Sequence, residues 1–369
     1  KFRPRPCRSG VSVDCASPSP PICCMQLDLD ALAATLARAS PNFKLNDAGL
    51  GDLGAAIVAD RVNAAPGRTD LRELRLYKNG IGDAGAVALA GAVEASVSLG
   101  ALYLHSNCIG AAGGVALALA LGRNTSLHTL FLKTNRIGDS GAAALAAALG
   151  NGRCALTTLS LQENGITVIG AAAIGNALGR NSALTSLSLQ CNALGDEGVS
   201  AVAKGVALNE RLLVLDLFHT ECAVDGAVAL GEALRLNSTL VSLSLGYNKQ
   251  VGANGAAALC ARLSGGGNGT LLSLSLHSVG LVGYGERAKL DKFSGEEESR
   301  SRKGSGLSSS SVASVLAGGC GAVEILALSF NKLGDGGALE LATRLPSCGA
   351  LRVLELRQCF VGQAGAEAL

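Results

Sequence analysis

The sequence predicts an α/β fold: a curved solenoid of short parallel strands on the inner side and α-helices on the outer side. Three observations carry that prediction. One unit, Leu127–Gly150, switches its apolar period from about 2 to about 3.6 within a few residues, the mark of a strand, a turn and then a helix. Its strand half reads L-x-x-L-x-L-x-x-N-x-I, through Leu127, Leu130, Leu132, Asn135 and Ile137. The Asn135 position then recurs at Ala48, Asn79, Asn107, Asn164, Asn192, Thr220, Asn248, Val279, Asn331 and Cys359. From Ala48 onward the steps are 31, 28, 28, 29, 28, 28, 28, 31, 52 and 28 residues, a regularity that marks a repeat architecture.

Each residue type in the unit has a physical task. One strand–helix unit cannot bury its own apolar face, so the leucines are expected to point inward and be covered by stacked neighbours. The recurrent asparagines (Asn79, Asn107, Asn135, Asn164, Asn192, Asn248 and Asn331) are expected to satisfy turn backbone groups in the interior as a structural ladder. An Asp follows a Gly after the strand at Gly82-Asp83, Gly138-Asp139, Gly195-Asp196 and Gly334-Asp335. It stands where a helix N-cap is expected, with the Gly relaxing the turn. Alanine-rich helices such as Ala142–Leu149 are thin and should pack closely. A second Asn follows the helices at Asn124, Asn181, Asn209 and Asn237, a position that suits a left-handed C-cap.

This pattern resembles the leucine-rich repeat in its ribonuclease-inhibitor-like subclass, shared by the repeat domains of NOD-like receptors and of the Ran GTPase-activating protein. The resemblance covers roughly residues 40–369, or about ten to eleven repeats of about 28 residues. It implies a horseshoe arc with the sheet on the concave face, and an intracellular protein-recognition role. The GTPase-activating likeness implies a second possibility, a regulator of a small GTPase, although no activating residue is carried over by motif. A structural scaffold in a larger assembly is a third.

Along the chain, residues 1–26 are aperiodic, hold five of the eight prolines, and lack the apolar core of a signal peptide. The single Met, Met25, precedes the first patterned segment and reads as a native start. Residues 27–369 are expected to form one solenoid domain. Within it, 27–39 would be an amphipathic capping helix. Residues 264–270 would be a glycine-rich return loop, 284–306 a disordered mixed-charge insertion, and Val312–Leu316 the helix of the interrupted repeat. The chain stops partway through a repeat's helix, which reads as a fragment without its C-terminal cap.

Composition narrows the function. Apolar residues make up 48% of the 369, but the longest apolar-and-glycine run, Cys108–Gly122, falls short of the roughly 20 residues a spanning helix needs. No membrane partner is expected. The net charge of +2 is concentrated in Lys1, Arg3, Arg5 and Arg8, so no nucleic-acid footprint is expected. The 12 cysteines contain no C-x-x-C and read as thiols of a reducing cytoplasm. Gly49-Leu-Gly51-Asp-Leu-Gly54 matches G-x-G-x-x-G only by coinciding with the repeat's own turn, and no phosphate-binding G-x-x-x-x-G-K-[ST] exists. Three glycosylation sequons begin at Asn124, Asn237 and Asn268 and read as helix-ending loops. The histidines have neither metal-ligand spacing nor a nucleophile nearby. No catalytic residue, cofactor or metal is expected.

The candidate binding residues lie at the variable strand positions. Of only 11 aromatics, six are there: Tyr77, Tyr103, Phe131, Phe218, Tyr247 and Phe330. His105, His219 and His277 stand at strand ends. With Arg75, Lys133, Glu355 and Arg357 they form the predicted partner-binding face, since aromatic residues and arginine lead interaction hot spots. The alternative is that these rings pack on one another and merely cover the sheet. The early strands carry Arg72, Glu73, Arg75, Lys78 and Lys133, a basic balance that favours an acidic protein patch as partner.

Overall fold

The computed structural model describes residues 42–63, 71–263, 268–282, 315–316 and 321–369. The expected N-terminal segment 1–26, the capping helix 27–39 and the insertion 284–306 lie outside these residues. Of the glycine-rich loop only 268–270 are described, and of the expected Val312–Leu316 helix only Val315 and Leu316, which are buried. The chain divides into two compact units, Lys1–Ala148 with Arg153–Gly165, and Leu149–Gly152 with Ile166–Leu369.

In the first unit β1 (Asn42–Lys44), β2 (Glu73–Arg75), β3 (Ala101–Tyr103), β4 (Thr129–Phe131) and β5 (Thr158–Ser160) alternate with α1 (Gly51–Asn63), α2 (Asp83–Ala95), α3 (Ala111–Leu121) and α4 (Gly138–Leu149). Neighbouring strands are parallel and aligned without slip, so Phe43, Leu74, Leu102, Leu130 and Leu159 form one row. All five are buried.

The second unit contains α5 (Val168–Leu178), β6 (Ser186–Ser188), α6 (Gly195–Leu208), β7 (Val214–Asp216), α7 (Val224–Leu236), β8 (Ser242–Ser244), α8 (Gly252–Ala261) and β9 (Ser273–Ser275). It continues with β10 (Ile325–Ala327), α9 (Gly334–Arg344), a 3-10 turn (Leu345–Ser347), β11 (Val353–Glu355) and α10 (Gln363–Ala368). Its strands are parallel and aligned in chain order. The long step between Val279 and Asn331 does not break the stack. β9 pairs directly with β10, and the Val279 and Leu281 N–H groups both donate to Asn331 Oδ1 at 3.1 Å.

Burial shows why neighbouring repeats stack. Val323, Leu326 and Leu328 of the β10 repeat are buried under the β11 repeat, whereas their equivalents Leu351, Leu354 and Leu356 in the last described repeat are only half-buried. Close approach also sets the helix spacing. A Cβ on Gly175 of α5 would overlap the Ala201 carbonyl of α6, and one on Gly205 would overlap the Gly175 carbonyl. Backbone therefore meets backbone there, which the thin helices permit.

The asparagine ladder couples each repeat to the one before it. Asn107 Oδ1 accepts from Asn79 N (2.9 Å) and Ile81 N (3.1 Å), while its Nδ2 donates to Leu76 O (3.0 Å) and Leu104 O (2.9 Å). Asn79, Asn135, Asn164, Asn192, Asn248 and Asn331 are buried in the same role. Where Thr220 replaces Asn, its shorter side chain donates to Leu217 O, and Leu194 N turns to the Thr220 backbone carbonyl at 3.2 Å.

Two expectations about caps are corrected. At Asp83, Asp196 and Asp335 the recurrent Asp does not cap its own helix; it reaches forward to the next. Asp83 Oδ1 accepts from Gly110 N (2.7 Å) and Gly113 N (2.8 Å) at the start of α3, whose own N-cap, Gly110, has no capping side chain. Asp52, Asp196 and Asp335 serve α2, α7 and α10 in the same way. The reason is position. The Asp lies inside the first turn of its own helix, so its carboxylate faces the neighbouring helix N-terminus. Gly110 is required by this contact, since a Cβ there would come 2.9 Å from Asp83 Oδ2.

Nor is the second Asn a left-handed C-cap. Asn209 and Asn237 are extended (φ −85°), and their side chains form a second buried ladder. Asn237 Nδ2 donates to Val206 O and Asn209 O, both at 2.8 Å, and its Oδ1 accepts from Thr239 N (3.0 Å) and Leu240 N (2.8 Å). Asn124, Asn181, Asn209 and Asn268 do the same. Carbonyls at the ends of α2, α4, α5, α6 and α7 are thereby met by an amide from the next repeat, with no need for a residue in the left-handed region. The three sequons start on this ladder, so the nitrogen a glycan would need is buried and committed.

Candidate interaction surface on the sheet

Each strand is only three residues long. Its central leucine, or Phe43 in β1, points to the core, so the two flanking residues stand on the opposite face. The backbone ladder continues past the strand. Leu76 N donates to Tyr103 O and Lys78 N to His105 O. The residue just before each ladder position then adopts a left-handed conformation in all eleven repeats: Asp47, Lys78, Ser106, Thr134, Glu163, Cys191, His219, Tyr247, Ser278, Phe330 and Gln358. This kink turns the chain from the sheet toward the helix. Of the six aromatics expected on strands, only Tyr103 and Phe131 lie within one: Tyr77 and Phe218 follow their strands, and Tyr247 and Phe330 belong to these turns, a position His219 shares. Sequence periodicity shows no trace of it, because the residues there are chemically unrelated.

In the first unit two rows of side chains run across the strands. Arg75, Tyr103 and Phe131 are aligned partners on β2, β3 and β4. The Tyr103 and Phe131 rings stack at 5.1 Å and 12°, and the Arg75 guanidinium lies 4.9 Å from the Tyr103 ring centre. Glu73 holds the same guanidinium at 2.8 Å, and that bond chiefly raises the Arg75 pKa. Beyond the strand, the Tyr77 ring stacks on His105 at 4.3 Å and 18°. Burial, then Lys133 and Lys78, lower the His105 pKa below the usual imidazole range.

The second unit gathers Phe218, His219, Tyr247 and His277. Phe218 lies 5.5 Å from Tyr247 and 5.4 Å from His277; His219 meets Tyr247 edge-on at 5.2 Å. Phe218 and His277 stand two repeats apart and touch because Gly246 lies between them. A Cβ on Gly246 would overlap the His277 ring. Ser275 Oγ is 2.6 Å from His277 Nδ1, and Asp216 accepts from Gln190 Nε2 and from Phe218 N (3.1 Å). Burial lowers the His277 pKa, with Asp216 and Glu355 opposing it. Lys249 Nζ lies 5.3 Å from the Tyr247 ring centre.

Thus the structure brings together Arg75, Tyr103 and Phe131; Tyr77, His105 and Lys133; and Phe218, His219, Tyr247 and His277. Phe330 is 40% exposed and joins none of the ring pairs among the described residues, and Arg357 is exposed beside it, its carbonyl accepting from Phe330 N at 2.7 Å. Glu355 reaches His277 only through its charge. Gly246, Lys249 and Ser275 were not foreseeable as site residues: a Gly at a variable position carries no signal until the ring above it is seen. Among the described residues no group of three or more His, Cys, Asp or Glu could hold a metal, and no helix is long and apolar enough to cross a membrane.

Residues 69–90, 123–146, 154–175, 180–203, 236–260 and 323–342 match the "Leucine Rich repeat" family model. No curated protein sequence matches the chain. Among solved structures, an internalin (inlF) from Listeria monocytogenes strain 4b F2365 aligns over 92% of each chain at 17% identity, with a TM-score of 0.43. Leiomodin-1 Actin-Binding Site 2 aligns over 48% of this chain and 86% of its own at 21% identity, with a TM-score of 0.33.

Proposed function

We propose that this leucine-rich repeat protein is a non-catalytic interaction module that captures a protein partner on the outer face of its sheet. One observation carries the reading. Rings that are scarce in the chain are assembled, half-exposed, on the sheet face away from the core. The rings do pack on one another, which stabilises the face by about 0.5–1.5 kcal/mol per pair. Cross-packing and binding are compatible, because a ring already held in place loses little freedom when a partner covers it.

We assign the repeat to the ribonuclease-inhibitor-like subclass, on its 28-residue unit and Gly-Asp turn, and take the sheet face to be concave. We place the protein in the cytoplasm. That reading is supported by the free, buried thiols of Cys154, Cys222, Cys260 and Cys359 and by the sequons' buried asparagines. The test is affinity capture from a lysate of the source cell with the full chain and with its Tyr103→Ala/Phe131→Ala variant. A protein retained by the first and lost by the second, with circular dichroism unchanged, supports the proposal. Equal retention refutes it. If the retained protein is a small GTPase whose hydrolysis is stimulated, the protein is a GTPase regulator instead.

A further inference from the structure

The sheet face of the first unit concentrates positive charge at one place. Tyr77, His105 and Lys133 follow one another on successive repeats, with Lys78 beside them. The backbone fixes this order: Lys78 N donates to His105 O at 3.1 Å, and Ser106 N donates to Lys133 O at 2.8 Å. Tyr77 lies flat on the His105 ring. His105 Nδ1 is buried without a hydrogen-bond partner, an uncommon state for a polar atom in a folded protein. Among the described residues neither lysine forms an ion pair, whereas Glu73 is held by Arg75 at 2.8 Å. Two ammonium groups without an ion-pair partner therefore act on the His105 ring, whose Nδ1 is buried and unmet, beside a surface that includes the exposed Lys78.

We propose that Tyr77, Lys78, His105 and Lys133 form a subsite for the carboxylate side chains of an acidic segment of a protein partner. The inference rests on the sheet-face reading above and names the chemistry the face selects. The ammonium groups supply the charge, and the stacked Tyr77–His105 pair supplies an apolar floor for the methylenes of a glutamate. Binding is linked to a proton. In the free protein the charged groups facing His105 from the repeats on either side are Lys78 and Lys133; both repel the imidazolium, and burial adds to this. A carboxylate placed between the lysines offsets that repulsion, so the bound imidazole takes up a proton more readily. Linkage then requires affinity to rise as pH falls toward the free protein's His105 titration.

The probe is a synthetic octaglutamate peptide, titrated calorimetrically into the full chain at about pH 8 and about pH 6, with the histidine ring protons followed by NMR. A rise of about one pKa unit on binding gives about fivefold tighter binding at the pH where the free imidazole is half protonated, and at most about tenfold below it. His105→Phe keeps a ring to stack on Tyr77, so it should bind with pH-independent affinity. Lys78→Gln/Lys133→Gln should lose at least about tenfold with its melting temperature unchanged. The proposal is overturned if octaglutamate fails to bind the parent chain, or binds the double-lysine variant equally well. Failure here, while a natural partner is still lost on Tyr103→Ala/Phe131→Ala, removes the acidic chemistry and leaves the sheet-face reading standing. The converse result supports the subsite and removes the aromatic surface.

Discussion

Substituting a sequon asparagine is usually regarded as harmless, but Asn237→Ala should be among the more damaging single changes in this chain. The side chain is 5% exposed and makes four hydrogen bonds to backbone groups, two as donor at 2.8 Å and two as acceptor at 3.0 and 2.8 Å. Those groups belong to three segments: the end of α6, the loop after it, and the turn entering β8. Alanine leaves the two N–H groups unmet and takes one of two donors from each carbonyl, since Val206 O keeps Asn209 N and Asn209 O keeps Thr239 Oγ1. A buried polar group left unmet costs about 1–3 kcal/mol, and water entering the vacated space recovers part of it, so a net loss of about 3–5 kcal/mol is expected. Urea denaturation of the full chain, followed by circular dichroism, measures it. Ser238→Ala, exposed next door, serves as control and should stay within about 0.5 kcal/mol. A loss below about 1 kcal/mol for Asn237→Ala would refute the second-ladder account.

Other perturbations probe separate parts of the structure. Asp83→Ala should cost about 1–2 kcal/mol, and in hydrogen exchange the added opening should appear at the start of α3 rather than of α2, because the cap is donated forward. Gly246→Ala should displace the His277 ring and cost about 1–3 kcal/mol, read from the melting temperature and from the His277 and Tyr247 ring resonances. Burial pushes the Cys222 and Cys260 thiols up to about 12, so at about pH 8 they should resist a maleimide in the folded protein and react in urea, as mapped by mass spectrometry.

Much of the architecture can be read from the sequence because it is periodic. A strand and a helix each impose their own spacing on the leucines, and the ladder asparagines mark where one gives way to the other. What the sequence conceals are bonds that cross from one repeat to the next. Asp83 looks like a cap for the helix it begins, and only the stacked neighbour shows that its carboxylate serves Gly110 and Gly113. Asn209 and Asn237 look like turn formers for the same reason, since the carbonyls they serve lie about thirty residues away in sequence. On the sheet face, aligned register makes Tyr103 and Phe131 neighbours, since both follow the central leucine of their strands. The Phe218–His277 contact depends on the missing side chain of Gly246, and the placement of Tyr247 and Phe330 depends on a backbone kink with no sequence signature.

The central claim is that the ring clusters are there to bind, and the most direct measurement compares stability with capture in the same variant. Tyr103→Ala/Phe131→Ala removes one stacked pair from a surface already partly open to water. The account predicts a small loss of stability, about 1–2 kcal/mol, together with loss of a partner that the parent chain retains. A loss of several kcal/mol with the same partner still bound would mean that the rings hold the sheet together and that recognition lies elsewhere.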